Sequence, residues 1–225
     1  EPFVKVFEEE RELTVMLLVD MSRSAYFGTV NQLKNELLIE ICAVLAFSAI
    51  ANNDKVGVII FTDKIEKFIP PKKGKQHILR IIRELIDFSP EGSGTDIGVA
   101  FQYLNNVIKK RSICFVLSDF MTKDYLDPLR IAKRRHDIIG VQMTDPAEEE
   151  LPNVGLVHAK DAETGAMRWV DTASKKVREA YTRWYRENHE YFRTTFLRSG
   201  ADMLSIKTNE PYDIALHKFF LKRAK

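Results

Sequence analysis

The sequence is poor in most residues that announce a particular chemistry. It has only two cysteines, Cys42 and Cys114, each inside an apolar stretch and without metal-like or redox-like spacing. That argues against a cysteine metal cage or a redox pair, and the expectation is two buried thiols in a reducing compartment. The five histidines, His77, His136, His158, His189 and His217, are scattered and form no His-Glu-x-x-His pattern. No apolar run approaches the ~20 residues that a membrane span needs. The most apolar helix candidate, residues 37–51, is interrupted by Glu40 and Ser48. A net charge of +2 is too small to argue by itself for a nucleic-acid partner. "PPKKGK" (residues 70–75) lacks the spacing of a phosphate-binding loop, and "GSGTDIG" (residues 92–98) lacks both the dinucleotide fingerprint and a strand directly before it. The chain starts at Glu1 without a signal-peptide pattern. It is expected to be a cytoplasmic fragment, with any anchor lying outside it.

What is present is the material of a packed domain. Of the 225 residues, 45% are hydrophobic and 29% charged, enough for a sizeable core. Residues 13–19 are a continuous apolar run of strand length, and residues 55–62 (KVGVIIFT) are β-branched. Residues 64–69 can pair with the latter as a hairpin before Pro70-Pro71 breaks the chain. Two more strands are expected at 112–118 (SICFVLS) and 137–143 (DIIGVQM). Between them lie helical patterns: Leu33 to Ile50 after a Thr29-x-x-Gln32 capping box, Ile78 to Ile86, a helix beginning near Thr95, and residues 123–135. Strands alternating with helices imply crossover units and an α/β fold, a three-layer, doubly wound, mostly parallel sheet with an antiparallel edge strand. After Pro146 come a hairpin turning near Glu163-Thr164-Gly165, a long helix over 174–199, a strand over 202–207 and a final helix over 211–221. A single domain over 1–225 is expected, with a core over 1–145 and an elaboration over 146–225.

In such a sheet, ligands bind at the carboxyl ends of the strands beside the switch in strand order. Three polar groups fall there. Asp20, Ser22 and Ser24 follow the first strand, Thr95 and Asp96 sit at a helix start after "GSG", and Ser118-Asp119 end the strand "ICFVLSD". Side chains two apart in an extended segment point the same way, so Asp20, Ser22 and Ser24 can converge. Carboxylates with hydroxyls are hard oxygen ligands, suited to Mg²⁺ or Mn²⁺ and not to zinc. Asp96 reads as a helix cap or a neighbour of the set, worth testing, and Thr95 can be ligand and cap together.

The combination of Asp-x-Ser-x-Ser, Gly-Thr-Asp and a later strand-ending Asp resembles the metal-ion-dependent adhesion site of von Willebrand factor A domains. The resemblance implies hydroxyl ligands from Ser22, Ser24 and Thr95, with Asp20 and Asp119 holding coordinating waters. "VKVFEEERELTVMLLVDMSRS", the "AETG" hairpin and the basic C-terminal helix are similar to the bacterial domain-of-unknown-function 58 (DUF58) family, whose core is von Willebrand factor A-like. Ala25 is a small departure from that family's larger apolar residue. The likeness implies a protein-protein interaction module, an adaptor or scaffold beside a MoxR-type AAA+ ATPase, with a partner's Glu or Asp completing the metal's shell.

Two other classes compete. A metal-dependent phosphoesterase using Asp20 and Asp119 would want a second acid where Ser22 stands, and the sequence signals no His or Lys nearby to replace it; no catalytic residue is assigned. "RIAKRRH" (residues 130–136) and the helix over 174–193 mix basic and aromatic residues as a nucleic-acid surface would. However, cations at a helix end complement its dipole, and Glu179, Glu187 and Glu190 interrupt the second stretch, so a solvated face is the expectation.

Overall fold

The computed structural model describes residues 12–26, 33–92, 94–160 and 166–223. Six strands form one sheet: β1 (Thr14–Asp20), β2 (Lys55–Phe61), β3 (Ile65–Lys72), β4 (Ile113–Ser118), β5 (Asp137–Thr144) and β8 (Asp202–Lys207), in the order β3-β2-β1-β4-β5-β8. All neighbours are parallel except β2 and β3. The expected three-layer α/β architecture with one antiparallel edge strand is therefore what forms.

The sheet is covered on both faces because its central strands are apolar on both. Val15, Leu17 and Val19 of β1 join one core with Leu37, Leu38 and Ile41 of α1 (Lys34–Ala51), Ile78 and Ile81 of α2 (Lys75–Ile86), and Leu216 of α6 (Tyr212–Arg223). Met16 and Leu18 face the other way. They join Phe101 and Leu104 of α3 (Ile97–Val107), Leu129 of α4 (Leu126–Arg135), and Phe192 and Phe196 of α5 (Lys175–Ser199). Cys42 and Cys114 are free and buried.

Several expectations need adjustment. The edge strand β3 does not stop at Pro70-Pro71 but runs through them to Lys72, with a register shift between the pairs at Val56 and Val58. An edge strand tolerates proline because its outer N–H groups have no strand to meet. The helix expected over 123–135 begins only at Leu126. The cap of α3 is Asp96, whose carboxylate accepts from the Val99 amide at 3.1 Å, so Thr95 does not serve as cap. The Thr29-Gln32 capping box and the turn at 163–165 lie outside the described residues; at the start of α1, Glu36 reaches back to the Leu33 amide at 3.0 Å. The hairpin flanking that turn is antiparallel: β6 (Leu156–Lys160) pairs with β7 (Met167–Asp171) apart from the main sheet.

The chain adds β2 and β3 on one side of β1, then returns to place β4 on the other. Helix α1, leaving β1, packs on one face, while α4, following β4, packs on the opposite face. The connections leaving β1 and β4 therefore part above the sheet, and the crevice between them is the switch point.

The packing of α5 against β5 is close enough to require glycine. A Cβ at Gly140 would lie 2.5 Å from two ring carbons of Phe196 and 3.1 Å from one of Phe192. Gly140→Ala should therefore lower unfolding free energy by about 1–3 kcal/mol, measured by chemical denaturation. An unchanged midpoint would show that α5 yields without cost.

Candidate metal centre

Asp20 and Ser118 end the two strands that flank the switch point, and Asp119 follows directly. Each polar group here is fixed by the backbone as the strand runs out. One Asp20 oxygen accepts from the Ser22 amide at 2.9 Å and the other from the Ser118 hydroxyl at 2.5 Å. The Ser118 hydroxyl in turn accepts from the Phe120 amide at 3.0 Å. The Ser22 and Ser24 hydroxyls lie 3.1 Å apart and favour the charged forms of Asp20 and Asp119 respectively. Four of the five expected residues, Asp20, Ser22, Ser24 and Asp119, thus gather at the sheet's carboxyl edge, where Asp20, Ser24 and Asp119 line one small cavity.

Thr95 reaches the region by a different route. Gly92 packs so tightly on Thr62 that a Cβ there would lie 2.1 Å from the Thr62 hydroxyl oxygen. The Asp96 amide then donates to the Thr62 carbonyl at 2.9 Å, and the Thr122 hydroxyl donates to the Thr95 carbonyl at 3.3 Å. These contacts tie the Thr95 loop to the ends of β2 and β4. The Thr95 hydroxyl oxygen is buried and has no hydrogen-bond partner among the described residues. Asp96, in contrast, spends its carboxylate on α3.

Two residues that the sequence reading did not assign complete the centre. Lys34, the first residue of α1, is only 1% exposed, and its ammonium sits 2.9 Å from Asp119 Oδ2 and 2.6 Å from Glu148 Oε1. Glu148 lies in a short 3-10 turn (Pro146–Glu148) after β5. The expectation that no lysine approaches the site is therefore corrected. The signal was present: Lys34 stands three and four positions before Leu37 and Leu38, in the buried stripe of an otherwise apolar helix face. The glutamate, 114 residues further on, left no comparable mark.

Electrostatics divide the two aspartates. Burial, then the neighbouring charge of Asp119, push the Asp20 carboxyl up to about 6. Burial works to raise Asp119 too, but the Lys34 ammonium overcomes it and holds that carboxyl below its ordinary range. Lys34 itself is disfavoured as a cation by burial, yet Asp119 and Glu148 raise it above the usual lysine value. Asp119 is thus the firm anion, and any shared proton belongs on Asp20.

The donor chemistry fits a small hard divalent ion: two carboxylates, two linked hydroxyls and one buried threonine hydroxyl without a partner among the described residues. Among the described residues no three His, Cys, Asp or Glu side chains gather as a metal cage, so such an ion would depend on the hydroxyls. The cavity at the centre is only ≈ 10 Å³, at the lower limit for one water, and Lys34 is among its walls.

Comparison with known proteins agrees with this architecture. The family described as "Protein of unknown function DUF58" matches residues 1–191. The uncharacterized protein Rv1480 of Mycobacterium tuberculosis is 29% identical over 227 residues, covering 99% of this chain and 71% of that protein. BatB, a conserved hypothetical protein of Bacteroides thetaiotaomicron, shares the fold at a TM-score of 0.61 and 16% identity, over 94% of this chain and 98% of its own. An aerotolerance-related membrane protein of Bacteroides fragilis gives 0.62 and 16%, over 93% and 99%. The fold is von Willebrand factor A-like.

A carboxyl raised on folding favours the folded state while protonated, so its ionisation withdraws stability as pH climbs from its ordinary value of 3.8 to about 6. Asp20→Asn removes that penalty. In the presence of chelator the variant should be more stable than wild type at pH 8, by up to about 3 kcal/mol, with the gain vanishing near pH 4. Thermal unfolding at the two pH values checks this, and an Asp20→Asn variant weaker than wild type at pH 8 would contradict it.

Proposed function

The chain belongs to the DUF58 family, and from that footing we propose that it is a metal-dependent protein-protein interaction module. In this reading Ser22, Ser24 and Thr95 hold Mg²⁺ or Mn²⁺ through their hydroxyls, and Asp20 and Asp119 hold its waters. A bound divalent ion supplies a positive, Lewis-acidic point open to a carboxylate. With hydroxyls nearest and acids acting through water, little of that charge is neutralised within the chain. A Glu or Asp of a partner protein is then the natural last ligand, because attraction between opposite charges strengthens where water is partly excluded.

The observation that carries the reading is the buried Thr95 hydroxyl oxygen, without a hydrogen-bond partner among the described residues, on a loop tied to the ends of β2 and β4, with Asp20, Ser22, Ser24 and Asp119 gathered at the sheet's carboxyl edge. A buried hydroxyl left unpaired costs about 1–3 kcal/mol, and a ligand would relieve it. Ser22 stands where a phosphoesterase would carry its second acid, so binding without turnover is part of the proposal. The setting proposed is cytoplasmic, consistent with two free, buried thiols. The role proposed is that of an adaptor for a MoxR-type AAA+ ATPase, on the strength of family likeness.

Calorimetric titration of the chelator-treated protein with Mn²⁺ tests the site. One binding event is expected, abolished in both Asp20→Ala and Thr95→Ala while the variants remain folded. Capture of a purified MoxR-type ATPase from the same organism should be lost in chelator and regained with Mg²⁺. Chelator-insensitive capture would mean that recognition uses another surface.

A further inference from the structure

Lys34 is placed against the ordinary rules of helix design. It is a cation in the first turn of α1, where the helix macrodipole favours anions. It is also buried in a face that Leu37, Leu38 and Ile41 otherwise fill. Nothing in helix stability explains it; the two carboxylates do. We infer that Lys34 is a tethered cation standing in for the divalent ion, holding Asp119 while the metal is absent and withdrawing onto Glu148 when it binds. This rests on the metal-binding reading above and adds the element that sets its threshold.

The geometry separates fixed parts from the movable one. Asp119 is pinned: its Oδ1 accepts from the Met121 amide at 3.2 Å, and its carbonyl accepts from the Gln142 side chain at 3.2 Å. Its Oδ2 is the oxygen that Lys34 takes. Glu148 is equally well held, since its second oxygen accepts from the Asp145 amide at 3.2 Å. Asp145 in turn is anchored by the Ala147 amide at 2.9 Å and the Thr208 hydroxyl at 2.8 Å. Between two rigid carboxylates stands a lysine on a flexible four-carbon stem. On release of Asp119 the ammonium keeps its shorter contact, the one to Glu148.

Charge arithmetic points the same way. Asp20, Asp119 and Glu148 together carry three formal negative charges against the single positive charge of Lys34, a net negative balance that attracts a divalent ion. Lysine and metal can therefore coexist only if they divide the carboxylates, the ion near Asp20 and Asp119 and the ammonium on Glu148. Glu148 is what lets Lys34 yield without becoming an unpaired buried cation.

Two variants, assayed with Mn²⁺ alone, test this in opposite directions. Lys34→Met should raise Mn²⁺ affinity at least tenfold by calorimetry. It should also lower the melting temperature of the protein in chelator, with Mn²⁺ restoring it. Glu148→Gln should weaken Mn²⁺ binding, by roughly tenfold if the lost pair is worth about 1.4 kcal/mol. If Lys34→Met binds Mn²⁺ with wild-type affinity and Asp20→Ala abolishes the binding, the tethered-cation role is overturned while the metal reading stands. If neither wild type nor Lys34→Met binds Mn²⁺, both fall. Should Lys34→Met fail to fold even with Mn²⁺, Glu148→Gln decides: weaker binding supports the exchange, and unchanged or tighter binding overturns it.

Discussion

The contact on which the rest of the centre depends is the Lys34 ammonium lodged between Asp119 and Glu148. It joins the first helix, the end of β4 and the turn after β5, three segments far apart in the sequence. Charges taken out of water cost several kcal/mol each unless they are paired and hydrogen-bonded. A cluster of acids at a strand switch point is therefore stabilised by a cation buried among them. This chain carries one of its own, which holds Asp119 low and walls the small cavity, while burial and the charge of Asp119 keep Asp20 high.

The same constraint links stability to function. On the proposed reading, a centre that accepts a divalent ion holds excess negative charge when empty, which weakens the fold. A lysine that cancels part of that charge protects the empty state, but it does so by competing for the ligand. Sites of this kind commonly trade stability against activity. Here the trade has a specific form, because the competitor has a second carboxylate to withdraw to.

How much of this could be read from the sequence differs by element, for physical reasons. The apolar runs ending at Asp20 and Ser118 announced buried parallel strands, and strand ends in such sheets are where ligands gather. Asp20, Ser22, Ser24 and Asp119 were legible for that reason. Edge strand β3 was cut short at Pro70 because proline is read as a breaker, and only knowledge of its place at the sheet edge removes the objection. The division of labour between Thr95 and Asp96 was also hidden, since both side chains can cap a helix and only the bond from Asp96 to the Val99 amide decides it. Glu148 could not be found at all: pairing across more than a hundred residues has no local signature. Lys34 could have been found, as the one cation in a buried helical stripe.

The central claim is that one cation always occupies this centre, and that lysine and metal exchange places over it. Anomalous diffraction from crystals soaked in Mn²⁺ tests it most directly. A single strong peak is expected among Asp20, Ser22, Ser24, Thr95 and Asp119, with the Lys34 ammonium moved off Asp119 and still paired to Glu148. A peak elsewhere, or no peak while Lys34 remains on Asp119, would contradict it.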